Sequence, residues 1–405
     1  MTTSHERLQE RLARHAGFGL KRAGGEGDIA SAAWISETLT NLGFDVKTTQ
    51  SQVPWFDANV AELRSGEVAA TVHPQPVVMP TGPDGVSGPL VGVHHTSEAP
   101  AARDAIALVI APFARHATIQ SPATGPLIKA CAEAGALAVV LVTTGPSGEA
   151  SLLNTDPGKP FAPLPIALLA PKDAEPFVAA AAARAGATLV VTGNGGHRQT
   201  PNLIATLRRG PQWLALSTPR TGWFTCAAER GNGIVAFLEL AEWAARRFPN
   251  LSIFGLNTGG HEYMFVGTHD SVDAWPAPAD TRLWVHLGSA MAARDRIAVG
   301  GRPAVLASAD SHRILMTTAD LLDDAKRCFT GLTGLEAPRE VLHGAGELST
   351  VIDRGYRSAF AVLGVHSWFH TERDTIETTS GDLLAPVIEA HKRLIEAAIE
   401  PGGKS

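Results

Sequence analysis

The sequence predicts an α/β fold in which a mixed, mostly parallel sheet is covered by helices and carries a smaller β-rich insert. Two observations support this prediction. After residue 195, short apolar runs of strand length alternate with segments of helical periodicity, as in a sheet covered on both faces. Between residues 55 and 195, short apolar runs are instead separated by turns rich in proline and glycine.

The chain begins with two predicted helices followed by a strand. Residues 4–16 and 28–42 have helical patterns, and in the second helix Asp28 is the predicted N-cap and Gly43 the predicted stop. An alternating pattern of strand type follows from Phe44. These elements precede the insert.

The insert contains a βαβ-like unit, in which a helix at residues 125–134 separates apolar strands at 106–110 and 137–142. Its charged residues are sparse, and none of them predicts catalysis. The predicted domains are therefore a main domain of residues 1–54 and 196–405 and an inserted domain of residues 55–195.

Beyond the insert the pattern is doubly wound. One predicted helix carries Ile234, Phe237, Leu238 and Ala241 on a single face, which is a stripe that would face the core. The other elements predicted here are strands at 203–207, 213–217, 251–256, 283–287 and 359–363 and helices at 319–328 and 382–400.

Composition excludes several classes of protein and partner. Hydrophobic residues make up 44% of the 405 residues, charged residues make up 18%, and the formal net charge is −6. The chain has no basic stripe for nucleic acid and no apolar run long enough for a membrane span, and we do not expect export by a standard signal. Its three cysteines lack CxxC spacing, so we expect a cytoplasmic protein. Because the charge pattern does not suit nucleic acid or a membrane, we expect a small-molecule or short peptide-like substrate. A homo-oligomer is compatible with the sequence.

Three loops that follow predicted strands each contain a potential metal ligand, namely Glu229, Glu262 and His370. In open α/β sheets, ligands bind beyond the carboxyl ends of the strands, so these loops are expected to meet. Two carboxylates and one imidazole, with a fourth position left for water, form a known type of catalytic zinc shell. The spacing alone is a weak signal, because Glu and His are common in loops.

The order of these motifs resembles that of the zinc aminopeptidase and carboxypeptidase family, which includes bacterial leucyl aminopeptidases, glutamate carboxypeptidase and the transferrin receptor ectodomain. The stretch Pro201-Asn-Leu-Ile-Ala-Thr-Leu is similar to the entry strand of that family, and Phe369-His-Thr-Glu-Arg-Asp-Thr to its late histidine motif. Residues 55–195 resemble the protease-associated domain often inserted there. The resemblance implies an aminopeptidase-like fold and hydrolysis of amide bonds.

Family members hold their metals with the pattern H-x-D, D-N-x-x-G, E-E, a strand aspartate and a late histidine. The resemblance places Glu229, Glu262 and His370 at one metal position. At the other position H-x-D is replaced by Thr218-Pro-Arg220 and the strand aspartate by His286. The resemblance thus implies a mononuclear centre that holds one divalent ion, expected to be zinc.

The same comparison gives roles to other residues. His261 replaces the glutamate that acts as general base, and an imidazole can accept a proton at neutral pH. Arg220 would polarise the substrate or bind its carboxylate, His286 would bind substrate or serve as a spare metal ligand, and Trp223 would line an apolar pocket. Ordinary structural roles stay open for these three residues and for His261. Residues near the late histidine that could line the pocket or support the site are Asp374, Glu347, His366 and His343.

The sequence thus predicts a metal-dependent hydrolase of amide or related C–N bonds, acting on a small acidic or acylated substrate. An arginine in the site would repel a free ammonium and attract a carboxylate. Two alternatives stay open: a binding protein that has lost catalysis on the same scaffold, and a metal-dependent lyase or isomerase in which His261 removes a carbon-bound proton.

Overall fold

A computed structural model describes residues 4–299, 302–341 and 345–400. The strands are β1 (Asp45–Ser65), β2 (Val68–Thr71), β3 (His73–Pro74), β4 (Val86–Val93), β5 (Ile106–Ile110), β6 (Ala138–Val142), β7 (Ile166–Leu169), β8 (Gly186–Leu207), β9 (Trp213–Pro219), β10 (Ser252–Thr258), β11 (Thr281–Leu287), β12 (Arg294–Val299), β13 (Arg302–Ala309), β14 (Arg313–Thr317), β15 (Arg339–Glu340) and β16 (Ala359–Gly364).

The α-helices are α1 (Ser4–Gly17), α2 (Glu26–Asn41), α3 (Gly125–Ala134), α4 (Glu175–Ala182), α5 (Gly231–Arg247), α6 (Val266–Asp270), α7 (Leu322–Cys328), α8 (Leu348–Asp353) and α9 (Gly381–Ile399). Short 3₁₀ turns lie between several of these elements, including one at His261–Tyr263.

The main sheet has the strand order β15-β14-β16-β11-β9-β10-β8. Its centre is parallel, because β9 pairs in parallel with both β10 and β11, and β11 pairs in parallel with β16. The flanking strands β8 and β14 are antiparallel to their inner neighbours. This mostly parallel sheet, flanked by helices, confirms the predicted fold class.

Two long strands connect the main sheet to the inserted region. β1 and β8 pair along almost their whole length, from Asp45 opposite Thr206 to Arg64 opposite Thr188. The path then continues through β4, β5, β6, β7 and β3. The predicted domain boundaries at 54/55 and 195/196 fall inside this two-stranded ribbon rather than in linkers.

The glycine-rich stretch at residues 192–196 therefore belongs to strand β8, although its composition suggests a turn. A side chain at Gly193 would place its Cβ 2.2 Å from the carbonyl oxygen of Asp57. Close approach of the partner strand, rather than a turn, accounts for glycine at this position.

Separate apolar clusters stabilise the two regions. One face of the main sheet packs against α1, α2, α5 and α9, and the predicted stripe of Ile234, Phe237, Leu238 and Ala241 is fully buried there. Two buried clusters of the insert draw only on residues between 63 and 191 in sequence. The division into two domains is compatible with these clusters and stays a prediction.

Most predicted elements are present with small shifts at their ends, but the start of the second helix was wrong. α2 begins at Glu26, with Gly25 as its N-cap, so Asp28 lies in the first turn. The Asp28 carboxylate accepts hydrogen bonds from Gly24 N, Thr200 and Arg220 instead of capping the helix. The hairpin of β12 and β13 was not predicted. Among the described residues, no helix has the length and apolar character needed to cross a bilayer.

Candidate functional site

The four parallel strands β9, β10, β11 and β16 end at one edge of the sheet, and the predicted site residues lie at that edge. Glu229 precedes α5 in the segment after β9, and Glu262 lies in the 3₁₀ turn after β10. His286 is near the end of β11, and His370 follows β16. All four side chains are almost completely buried.

Glu229 and His370 meet as the sequence predicts. His370 Nε2 lies 3.3 Å from Glu229 Oε1, and His370 Nδ1 donates a hydrogen bond of 2.8 Å to the carbonyl oxygen of Leu152. The backbone of His370 has a φ of 60°, in the left-handed region that residues other than glycine rarely adopt. Such strained backbone is found at functional sites more often than elsewhere, which agrees with a functional position for this imidazole.

The carboxylate of Glu229 also faces an arginine that sequence reasoning missed. Arg230 Nη2 lies 2.9 Å from Glu229 Oε1, and Arg230 Nε donates to the carbonyl oxygen of Thr221 at 2.7 Å. Burial raises the pKa of Glu229, but the charges of Arg230 and His370 and the contact with His370 outweigh it, so the pKa is lowered. The available signal was the position of Arg230 directly after Glu229, where the family pattern has asparagine.

The third predicted ligand, Glu262, has other partners. Its Oε2 accepts a hydrogen bond of 2.6 Å from the Thr221 hydroxyl, and its Oε1 accepts one of 3.1 Å from Ala23 N. Burial raises the pKa of Glu262 to about 7, although these hydrogen bonds and Arg230 act against the shift. Near neutral pH, with no cation bound beside it, this carboxyl group is therefore partly protonated.

These residues do not fit the expected three-ligand metal centre. Within the described ranges, no three His, Cys, Asp or Glu side chains are arranged so that they could hold a metal ion. A divalent ion on Glu229 would lie beside the Arg230 guanidinium, and like charges a few ångströms apart in a buried site cost several kcal/mol. The arrangement is a buried ion pair of Glu229 and Arg230, with His370 against it and Glu262 bonded elsewhere.

Several polar atoms of this cluster lack a well-directed hydrogen bond to the described part of the chain. They are both carboxylate oxygens of Glu229, Nη2 of Arg230 and Nε2 of His370. The charge pairs are close in distance but poorly aligned as hydrogen bonds. Orphaned polar atoms of this kind often mark a functional site or an ordered water.

His261 is held by an acidic partner, as a general base would be. His261 Nδ1 lies 2.7 Å from Glu347 Oε1, and the imidazole is 12% exposed whereas Glu347 is buried. Burial and the charge of Arg230 lower the pKa of His261, while Glu347 acts in the opposite direction, so the imidazole is neutral at neutral pH. Burial raises the pKa of Glu347, but its hydrogen bond with His261 and the nearby positive groups outweigh this and leave it lowered.

His286 lies deeper in the same region. Its Nδ1 is 3.0 Å from the hydroxyl of Ser217, which also accepts a hydrogen bond from Trp284 Nε1. Burial lowers the pKa of His286 to about 4, so the side chain is a neutral imidazole over the physiological range. The described contacts of His286 are those of a hydrogen-bonded interior histidine, and its substrate-binding role stays a prediction.

Arg220 lies apart from the cluster, in a network of its own. Its Nε donates to Asp28 Oδ1 at 2.6 Å, its Nη1 to Asn257 Oδ1 at 2.6 Å and its Nη2 to the carbonyl oxygen of Pro201 at 2.5 Å. The side chain is fully buried. Each guanidinium nitrogen thus already has a partner within the protein, and this placement does not favour the expected catalytic or substrate contact.

The remaining candidates have supporting positions. Asp374 accepts hydrogen bonds from Ala228 N at 2.8 Å and Glu229 N at 3.0 Å, and thereby fixes the loop that carries Glu229. His366 Nε2 lies 3.5 Å from Asp374 Oδ2. His343 lies outside the described residues.

Trp223 lies in the wall of a cavity, and its predicted substrate-binding role stays a prediction. The cavity has a volume of about 720 Å³ and lies next to the cluster, with Trp223, Tyr263 and Leu152 in its wall. Trp223 donates a hydrogen bond of 3.2 Å from Nε1 to Asn154 Oδ1 and packs edge-on against Tyr263, with 5.4 Å between the ring centroids.

The chain is similar over nearly its whole length to solved bacterial aminopeptidases. It superposes on a zinc aminopeptidase from Bacillus subtilis with a TM-score of 0.75 at 16% identity, covering 100% of this chain and 97% of the other. The fold is that of the zinc aminopeptidases. A peptidase M28 precursor from Shewanella amazonensis gives a TM-score of 0.71 at 16% identity, covering 97% and 96% of the two chains.

An aminopeptidase from Aneurinibacillus sp. strain AM-1 gives a TM-score of 0.68 at 16% identity, covering 98% of this chain and 94% of the other. No protein-family model matches the sequence, and no curated protein sequence is similar enough to match it. At this identity the aminopeptidase fold is shared, while the residues at the site are this chain's own.

Proposed function

We propose that this protein hydrolyses amide or related C–N bonds on the aminopeptidase scaffold, with His261 as the proton-transfer group and without a metal on Glu229, Glu262 and His370. The observation that carries the proposal is the 2.7 Å contact between His261 Nδ1 and Glu347 Oε1. A base oriented by a carboxylate is a recurring arrangement in acid–base catalysis.

The proposed chemistry follows from this geometry. The Glu347 carboxylate accepts the Nδ1 proton of His261, which leaves the lone pair of Nε2 for a water molecule. His261 would take a proton from that water as it attacks the carbonyl carbon and return it to the leaving nitrogen. The positive charge of Arg230, close enough to affect the pKa of His261, would stabilise the oxyanion electrostatically.

The substrate class expected from the sequence, a small acidic or acylated molecule, is part of this proposal. Arg230, rather than Arg220, supplies the positive charge at the site. Glu229 balances much of that charge, so selection of the substrate must depend on groups beyond the ion pair.

The test compares hydrolysis of N-acetyl-L-phenylalanine and L-phenylalaninamide by the wild type, His261→Gln, Glu347→Gln and the distant control Arg208→Gln. Arg208 is exposed and stacks on Trp213 away from the site. We expect wild-type activity on the acylated substrate to survive dialysis against a chelator. The two site variants should lose about 10²- to 10⁴-fold in kcat, which is the usual contribution of a general base.

Loss of activity on chelation, with recovery on adding zinc, would overturn the metal-free proposal in favour of the mononuclear metallohydrolase expected from the sequence. For hydrolysis, labelled oxygen from solvent water is expected in the product. Turnover without incorporation of the label would indicate a lyase or isomerase instead. Faster hydrolysis of the unblocked amide would contradict the substrate class.

One observation favours a second function, a ligand-binding protein without catalysis. The polar atoms of Glu229, Arg230 and His370 that lack hydrogen bonds are also shut off from solvent. The large cavity nearby is bounded by Trp223 and Tyr263, and these cluster residues do not line it. Ligand binding without turnover of any acylated or aminoacyl compound would support this second function.

A further inference from the structure

The cavity beside the cluster is a built pocket between the long ribbon and the inserted region. Trp55 and His197 come from the paired strands β1 and β8, and Lys159 comes from a loop of the insert. Lys159 and His197 are exposed at its rim, so the pocket is open to solvent on that side. A volume of about 720 Å³ lies within the usual range for small-molecule sites.

The charged side chains in the wall of this pocket have a single sign. Arg22, Lys159 and Arg198 line it, whereas no aspartate or glutamate among the described residues does so. Within the described ranges, Lys159 and Arg198 form no ion pair. Arg22 lies 3.5 Å from the carboxylate of Asp57, which is 65% exposed and contributes little neutralisation in water.

Most of the remaining wall is aromatic or apolar, and its polar members are Asn59, Thr71, His73 and His197. Trp55, Phe56, Trp223 and Tyr263 line the pocket, and the Arg198 guanidinium lies over the Trp55 ring, 5.9 Å from its centroid. Such a wall accommodates an aromatic or branched side chain by burying its apolar surface. Cations beside aromatic rings suit a molecule with an apolar body and an anionic end.

The pocket is also linked to the cluster through direct contacts. The carbonyl oxygen of Leu152, in its wall, accepts the hydrogen bond from His370. Arg198 Nε donates to the carbonyl oxygen of Ala23 at 2.6 Å, and Ala23 N in turn donates to Glu262. Leu152 thus stands between the pocket and His370, and Arg198 and Ala23 connect the pocket to Glu262.

We propose that this pocket binds a small organic anion with an aromatic or branched apolar body, of the N-acyl amino acid class. The carboxylate would lie among Arg22, Arg198 and Lys159, and the apolar body would lie against Trp223 and Tyr263. As the substrate subsite this inference rests on the proposed function, but binding can be measured without turnover.

The experiment measures binding by calorimetry in the His261→Gln background, so that no hydrolysis interferes. The first probe is N-acetyl-L-phenylalanine, which has both the negative charge and the apolar body. The second is its neutral amide, which lacks the charge, and the third is N-acetylglycine, which lacks the apolar body. We expect the amide and N-acetylglycine to bind at least about tenfold more weakly than the first probe, a difference of about 1.4 kcal/mol in binding free energy. Affinity for the anion should also fall with added salt.

Variants assign the charge recognition to the pocket. Arg198→Gln and Lys159→Gln are each expected to weaken binding of the anion about three- to tenfold without changing binding of the amide. Lys159 is exposed, so its variant remains informative if loss of the Arg198 contact to Ala23 disturbs folding. Arg208→Gln is the matched control, since it removes an arginine that stacks on a tryptophan elsewhere.

Equal affinity for the acid and its amide, or equal loss in Arg208→Gln and Arg198→Gln, would overturn the proposal. Binding as expected in a protein that hydrolyses nothing would keep this inference and refute the proposed hydrolase. Hydrolysis without charge-selective binding would do the reverse.

Discussion

Arg230 Nη2 lies 2.9 Å from Glu229 Oε1, and both side chains are buried at the edge of the sheet where Glu229 contacts His370. The Arg230 guanidinium gives the site a permanent positive charge that does not depend on a bound metal. The cation is covalently part of the loop between β9 and α5, so its position depends on the fold rather than on ion concentration.

Removal of the Arg230 charge should destabilise the protein strongly. In Arg230→Met the Glu229 carboxylate is left buried without its cation, and breaking a buried pair in this way costs about 3–5 kcal/mol. The double variant Arg230→Met/Glu229→Gln should recover part of that loss, because no uncompensated charge remains. Urea unfolding of the two single variants and the double variant gives the coupling energy. Additive losses would show that the two side chains do not interact.

Replacement of Arg230 should also change metal affinity. Arg230→Asn introduces the asparagine found at this place in the pattern that the sequence resembles, and it removes the repulsion between guanidinium and metal. We expect zinc affinity to rise at least about tenfold over the wild type, since relief of 1.4 kcal/mol is sufficient. Calorimetry with zinc and elemental analysis after dialysis measure it, with His370→Ala in the same background expected to abolish the gain. Tight zinc binding by the wild type would contradict the assigned role of Arg230.

The fold was largely predictable from the sequence because its signals are local. Apolar runs such as 213–217 and 283–287 and the stripe containing Phe237 need only the chain itself to be recognised. The pairing of β1 with β8 was not predictable in this way, since it depends on a contact between segments about 140 residues apart, from Trp55 to Gly196.

The site was predictable only in part, for a related reason. Loop position brought Glu229 and His370 together in the prediction, because parallel strands end at one edge of the sheet. The direction of each side chain was not encoded in that argument. Arg220 turns toward Asp28, Glu262 toward Thr221, and Arg230, rather than a metal, meets Glu229.

Arg220 should affect stability rather than recognition of substrate. Its 2.6 Å ion pair with Asp28 is fully buried, so Arg220→Met is expected to cost about 3–5 kcal/mol of unfolding free energy. Lysine keeps the positive charge but cannot reproduce the three hydrogen bonds of the guanidinium, so Arg220→Lys should lose less unfolding free energy than Arg220→Met but still be less stable than the wild type. Chemical denaturation measures stability and calorimetry with N-acetyl-L-phenylalanine measures binding. A large loss of binding in a variant of normal stability would return Arg220 to the substrate-binding role.

Glu347 should affect kcat more than folding. In Glu347→Gln the amide can still hydrogen-bond His261 Nδ1, but it cannot stabilise the imidazolium formed during proton transfer. We expect kcat to fall by about 10²-fold or more, with KM and thermal stability nearly unchanged. Steady-state kinetics and calorimetric unfolding on the same preparations separate these effects. A matching fall in stability would make Glu347 a structural residue instead.

Acid should destabilise the protein through buried neutral histidines, and His391 in α9 isolates this effect away from the site. Burial lowers the pKa of His391 to about 4, and the ring packs against Phe329 and Phe360. The unfolded chain therefore binds one more proton than the folded chain between the ordinary histidine pKa of about 6.5 and pH 4, so stability falls as the pH falls through that window.

Across the window the loss for this residue is about 3 kcal/mol, and above it the contribution does not change with pH. His391→Met keeps an apolar contact with both rings and removes the titrating group. Urea unfolding at pH 7 and pH 4.5 should therefore show a smaller loss of stability for the variant than for the wild type. Identical losses would mean that His391 becomes charged in the folded protein at little cost, in contradiction to its complete burial.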